Sequence, residues 1–325
     1  MFYQPHRLGH PPRVFRQTIS LVSSAPLTRA LPSGLPSLTL HSTNRRSSTK
    51  SKSSTENRIM TTSKLIVTFI RHGQSEDNVK SIWAGWKDAP LSELGNKQAA
   101  ALGRSLSSTH LTHIYASPLL RAHQTAQHVL SFQAEPKPPL TLNPNIREQK
   151  FGIAEGHGWT LQPPQGVPLE KLYADGLYPV LYGREEKFPG GESLNDLRER
   201  ARKGLRESVL SHLNEVQGGA DVHIALASHG LCIGELVAEL VSLDTEAKDQ
   251  RGYTGLMNTA WTRAEVKVRD GHGGPIDPIN PPSLEVKITH VNEKAHLDAL
   301  KDIPPVEDVG GSQAEAKAFF GGARV

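Results

Sequence analysis

Two histidines, each followed by glycine, close two apolar runs of the chain. His72 follows Leu65-Ile66-Val67-Thr68-Phe69-Ile70-Arg71, and His229 follows Val222-His223-Ile224-Ala225-Leu226-Ala227-Ser228. Short β-branched runs of this kind read as buried parallel strands. Ligands of open α/β sheets bind beyond the carboxyl ends of the strands, so both imidazoles are expected on one edge of one sheet. Arg71 directly precedes His72, and Arg121 falls one turn into the helix predicted after Ser117-Pro118. Two arginines and two histidines in one crevice repel each other unless an anion joins them. A phosphoryl group is the economical partner, because guanidinium forks bind it bidentately. The amides around Gly73 and Gly230 are candidate further donors. Asn78 is either a polar contact to the same group or a plain turn residue.

Those residues need a scaffold, and the pattern along the chain supplies one. After the first strand comes Leu91-Ser92-Glu93-Leu94-Gly95 and an Ala/Leu-rich helix to about Leu106. Ala99, Ala100, Leu102 and Leu106 recur in it at helical spacing. His113–Ser117 reads as a short strand, and Pro118 suits the first turn of the helix that follows. Residues 133–144 read as a Pro-rich loop. Residues 156–192, rich in Pro and Gly, read as an insert with little regular structure of its own. Ser193 caps a charged amphipathic helix predicted over Leu194–Val216. A further helix is expected over 231–242, then two β-like segments, Thr259–Val268 and Leu284–Val291. Strand and helix alternate, which argues for an α/β domain.

Composition narrows the function classes. The 325 residues include a single cysteine, Cys232, so neither an intramolecular disulfide nor a Cys-based zinc cluster is available. No run approaches the ~18–20 apolar residues of a membrane helix, and no membrane partner is expected. The formal charge of +4 is unevenly placed. Residues 1–59 carry seven Arg and two Lys against Glu56, so the remainder is mildly acidic. That balance gives no basic face for nucleic acid. The expected organisation is a basic leader over 1–60, a catalytic domain over 61–298 and a flexible tail over 299–325. The leader reads either as a mitochondrial transit peptide or as a disordered tail. Met60 stands where an internal start would omit the leader, so mitochondrial and cytoplasmic forms are both open. Fifteen histidines are present, yet none is spaced as a zinc or iron motif. Neither metal nor cofactor is expected.

Several blocks, in order, resemble the histidine phosphatase superfamily in its phosphoglycerate mutase-like branch. They are Arg71-His72-Gly73-Gln74-Ser75-Glu76-Asp77-Asn78, Leu91–Gly95, Ala116–Ala126, Ile146–Gly156, Pro189–Ser193 and Ala227–Gly230. The resemblance covers about residues 64–245. It implies a three-layer α/β/α sandwich around a mainly parallel sheet. It makes His72 the nucleophile that becomes a phosphohistidine, with Arg71, Arg121 and His229 clamping the phosphoryl oxygens. Glu148 matches the acid/base carboxylate of the family. Without that pattern the residues alone do not separate Glu148 from Glu155 or Glu192. His123 and His128 read as packing or surface residues and Cys232 as a buried helix residue.

The implied activity is hydrolysis of a small phosphorylated metabolite, with mutase-type phosphoryl transfer as the alternative. Mutases need extra basic residues in the insert. Here residues 156–191 hold Lys171, Arg184 and Lys187 against Glu170, Asp175, Glu185 and Glu186, which favours a phosphatase. An alternative of another class is a weakly active interaction module. The tail segment Gln313–Phe320 resembles a sliding-clamp-binding peptide, though Ala316 is a small anchor and a plain amphipathic tail is the other reading.

Overall fold

A computed structural model describes residues 63–160, 162–247, 253, 255–269 and 272–300. The leader, Met60 and the Gln313–Phe320 segment lie outside the described residues.

The first apolar run forms β1 (Leu65–Arg71), followed by the short helix α1 (Glu76–Val79) and by α2 (Glu93–Ser105). Next come β2 (His113–Ala116), α3 (Leu120–Ser131) and β3 (Leu140–Leu142). The insert contributes β4 (Trp159–Thr160), α4 (Leu169–Ala174) and β5 (Tyr178–Pro179). After it follow α5 (Leu194–Ser208), α6 (Leu213–Gln217), β6 (Val222–Ser228), α7 (Gly230–Ser242), β7 (Trp261–Val268) and β8 (Leu284–Glu293). The main sheet runs β3-β2-β6-β1-β7-β8. Its first four strands are parallel, and β7 and β8 are antiparallel additions on the β1 side.

Side chains alternate across a strand, and the two faces are visible in the core. Leu65, Val67 and Phe69 of β1 and Val222, Ile224 and Leu226 of β6 pack with Leu197, Ala201 and Leu205 of α5 and Ile233, Leu236 and Leu240 of α7. The opposite face carries Ile70, Ala225, Ala227, Ile114 and Ala116 against Leu102 of α2 and Ala126 and Val129 of α3. Helices therefore cover both faces, giving the expected three layers.

Three expectations change. The stretch read as a Pro-rich loop over 133–144 ends in β3, which pairs in parallel with β2 at the edge of the sheet. The helix expected over 194–216 breaks at Val209, where φ is −130° and ψ is −59°. The bend lets Val209, Leu210 and Leu213 reach the same core as α5. The insert is better ordered than its prolines suggest. β4 and β5 pair in parallel, and Tyr178 and Phe188 pack with Trp83 and Phe151 in an aromatic core. Large ring area, not periodicity, stabilises this segment.

Candidate active site

Strand register positions the two histidines. β1 and β6 pair from Leu65 opposite Val222 through Arg71 opposite Ser228. His72 and His229 are the next residue on each strand, and their rings stand 5.1 Å apart. His72 Nδ1 lies 2.6 Å from the carbonyl oxygen of Gly73. A carbonyl only accepts, so Nδ1 carries the proton and Nε2 the lone pair. Burial, then the Arg121 and Arg71 charges, hold the His72 pKa well below its ordinary value. The ring is a neutral imidazole with one free lone pair, which is a nucleophile's form.

Three buried donors around it have no hydrogen-bond partner: Arg71 Nε, Arg121 Nε and His229 Nδ1. The rest of each group is well held. Arg71 donates through one terminal nitrogen to the carbonyl of Leu256 at 2.5 Å. Arg121, only 1% exposed, donates to the carbonyls of Lys87 and Gly85 at 3.0 and 2.8 Å. His229 Nε2 lies 2.8 Å from Ser117 Oγ. An unpaired buried donor costs about 1–3 kcal/mol, so three of them gathered beside a neutral histidine suit an incoming anion with several acceptors.

The Glu148 carboxylate completes the site. Oε1 accepts from the amides of Gln149 and Cys232 at 3.0 and 3.2 Å, and Oε2 from the amide of Leu231 at 3.4 Å. Of the helix amides after His229, candidate further donors to the anion, those of Leu231 and Cys232 serve the Glu148 carboxylate. Its backbone carbonyl is gripped as well, by Trp86 Nε1 at 2.7 Å and by Arg200 at 2.9 Å. Arg200 also donates to the carbonyls of Asn145 and Arg147 and pairs with Glu192. Glu155 accepts from the amides of Trp86 and Phe151. Glu155 and Glu192 thus tie loops together, while Glu148 lines the pocket.

The remaining expected residues divide. Gly230 and Asn78 line the pocket, and Asn78 also caps α1 by accepting from the Ser75 amide. Gly73 differs from expectation. Its amide donates to Thr125 Oγ1 at 3.1 Å, and an added Cβ would meet the Gly95 carbonyl at 2.7 Å. Its smallness serves packing against α2, and it does not line the pocket. His128 bonds Asn96, and burial pushes the Cys232 thiol up to about 12, which keeps it unreactive.

Sequence reasoning missed Ser117, Arg200 and the apolar wall. It also missed Thr259, whose amide donates to the carbonyls of both Arg71 and His72 from a left-handed backbone (φ 57°). A β-branched residue there is strained, and no local motif announces it.

The pocket holds about 490 Å³ of empty space open to solvent. Besides Arg71, His72, Asn78, Arg121 and Glu148, its lining is apolar: Ile82, Trp83, Ala84, Phe151, Trp159 and two glycines. A separate His113, His212 and Glu215 group on β2 and around α6 brings possible metal-ligating atoms within 4.8 Å of one another, but none of the three lines this pocket. Among the described residues, no helix is long and apolar enough to cross a membrane.

Comparison with known proteins places the chain in a family. The family model described as histidine phosphatase superfamily (branch 1) matches residues 67–272. A 2,3-bisphosphoglycerate-dependent phosphoglycerate mutase of Bartonella quintana is 30% identical over 182 residues, which cover 55% of this chain and 83% of that protein. The fructose-2,6-bisphosphatase TIGAR of Xenopus laevis is 35% identical over 138 residues, 42% of this chain and 46% of that protein. The chain thus spans about half the length of this second relative. Among solved structures, mycobacterial hydrolase 1 superposes with a TM-score of 0.54 at 26% identity, covering 71% of this chain and all of that one.

Proposed function

The chain belongs to the histidine phosphatase superfamily, branch 1, and from that premise we propose that it hydrolyses phosphomonoesters through a phosphohistidine. The observation that carries this reading is the set of unpaired donors, Arg71 Nε, Arg121 Nε and His229 Nδ1, around the neutral His72.

In the first step the Nε2 lone pair of His72 attacks phosphorus. The bond from phosphorus to the ester oxygen breaks, and the leaving alkoxide takes a proton from the Glu148 carboxyl. Proton donation of this kind contributes ~10²–10⁴-fold. Arg71, Arg121 and His229 stabilise the charge spread over the equatorial oxygens. In the second step the Glu148 carboxylate takes a proton from water as its oxygen attacks phosphorus. The nitrogen–phosphorus bond breaks, and inorganic phosphate leaves with His72 neutral and Glu148 protonated again.

The same phosphohistidine can instead pass its phosphoryl group to a second hydroxyl, and the likeness to the Bartonella mutase favours keeping that reading. Against it, each basic side chain described in the insert is already paired with an acid: Lys171 with Asp175, Arg184 with Glu235 and Lys187 with Asp196. The deciding experiment follows phosphate release from p-nitrophenyl phosphate, and isomerisation of 3-phosphoglycerate, each with and without added 2,3-bisphosphoglycerate. Release of inorganic phosphate without the bisphosphate is the expected result. Isomerisation that requires the bisphosphate would overturn hydrolysis as the main reaction.

A further inference from the structure

The walls of the pocket differ sharply in chemistry. One side is cationic and suits a single phosphoryl group. Apart from Asn78 and Glu148, the remaining side chains are ring and hydrocarbon, chiefly Ile82, Trp83, Phe151 and Trp159. This surface is built, not incidental. The amide of Trp83 donates to the carbonyl of His157, and the amide of Gly156 donates back to the carbonyl of Trp83. A bridge joins Ile82 to Gly158. The start of the insert is thereby stitched to the loop after His72, and Trp159 is held over the same space as Trp83, with ring centroids 6.2 Å apart. Trp83 is 2% exposed and packs on Phe151 at 4.6 Å. Its indole nitrogen donates to the carbonyl of Tyr178, which orients the ring.

A second phosphoryl group would lie against this apolar wall. Among the described residues, no Lys or Arg other than Arg71 and Arg121 lines the pocket. An unpaired anion pressed on apolar surface loses hydration without compensation. A flat apolar body gains there, since ring faces and edges stack favourably with Trp and Phe.

Resting on the phosphatase reading, we infer that the substrate is a monophosphate of an apolar, ring-bearing alcohol with no second anionic group. His72, Arg71 and Arg121 take the phosphoryl end. Trp159 and Ile82, both half-buried, are the specificity residues that take the ring.

The test compares 2-naphthylmethyl phosphate with glycerol 3-phosphate and with fructose 2,6-bisphosphate. The first two leave as ordinary alkyl alcohols, so leaving-group acidity does not separate them. The expected kcat/KM ratio of naphthylmethyl to glycerol phosphate is about 10–100, carried by KM, with the bisphosphate the poorest substrate. Trp159→Ala should shrink that ratio about tenfold. Ile82→Ala reports on the same wall should the first variant not fold. Hydrolysis that favours glycerol phosphate or the bisphosphate, or a ratio unmoved in both folded variants, overturns the inference and leaves phosphatase activity standing. Failure to hydrolyse any of the three, or p-nitrophenyl phosphate, removes the phosphatase reading and this inference together.

Discussion

Ser117 Oγ stands 2.8 Å from Nε2 of His229, and that contact leaves Nδ1 as the nitrogen of His229 able to donate to the proposed phosphoryl group. Ser117 Oγ already accepts the amide hydrogen of Leu119 at 3.3 Å, so its own hydrogen is free to go to Nε2. Burial, followed by the Arg121 charge, holds the His229 pKa well below its ordinary value. A neutral ring accepting at Nε2 must be protonated at Nδ1. Ser117→Ala removes this constraint while leaving the clamp residues in place. A loss of about tenfold in kcat is expected, the cost of one misdirected hydrogen bond to developing charge. Steady-state kinetics across pH 5–8 would check it, and an unchanged profile would count against the relay.

His72→Ala should remove turnover and the covalent phosphoenzyme together. The readout is label from a radioactive phosphomonoester that survives an alkaline quench and is lost in acid, as expected for phosphorus on imidazole nitrogen. Label persisting in the variant would move the nucleophile elsewhere.

The legible part of this site was the part written along single strands. Arg71-His72 and Ser228-His229 sit at the ends of apolar runs, and in-register pairing of those runs brings them together without further information. Arg121 was legible because it starts a helix at the same edge. Glu148 was identified only through family likeness, since its grip comes from α7 amides and from Arg200 on α5. In the sequence Arg200 is one of several arginines on a charged amphipathic helix, and nothing local separates it from Arg198 or Arg202. The apolar wall is assembled from positions 82–84, 151 and 159, whose proximity depends on a few hydrogen bonds between loops, one isolated bridge and ring packing, and follows no period. Gly73 misled for the opposite reason: a glycine beside a nucleophile suggests an amide for substrate, and its amide goes to Thr125.

Arg121→Ala withdraws a buried donor aimed at developing charge. Loss of one such donor typically costs ~10²–10³ in kcat, and that is the expected fall. Phosphate inhibition should weaken in parallel, because the same group binds the product. Wild-type turnover and phosphate affinity would take Arg121 out of the clamp.

Glu148→Gln tests the acid role through the leaving group. An alkyl ester needs its oxygen protonated, whereas p-nitrophenolate leaves almost unaided. The variant should lose ~10²–10⁴-fold on an alkyl phosphate and far less on p-nitrophenyl phosphate. Arg200→Met should show the same asymmetry at smaller amplitude, since Arg200 holds the backbone of Glu148 and does not line the pocket. It should also lower stability by about 3–5 kcal/mol, because Glu192 is left mostly buried without its partner. Equal losses on both esters in Glu148→Gln would count against the acid role of the carboxyl.

Acid should destabilise the fold before it protonates ordinary carboxylates. His72 and His229 have lowered pKa values, chiefly through burial. His223, beside Thr68 and Arg263, is lowered to about 4 by burial and then by the Arg263 charge. The unfolded chain binds protons at these sites near pH 6.5, and the native chain resists until its lower values are reached. Stability is therefore complete above pH 6.5 and falls below it, by ~1.4 kcal/mol per pH unit for each histidine still neutral in the native state. For His223 that window runs from 6.5 to about 4. Urea midpoints at pH 7.5, 6 and 5 should drop steadily, and His223→Gln should flatten the slope by one proton's worth. A midpoint constant across that range would mean the three rings are hydrated and titrate in the native protein as they do in the unfolded chain.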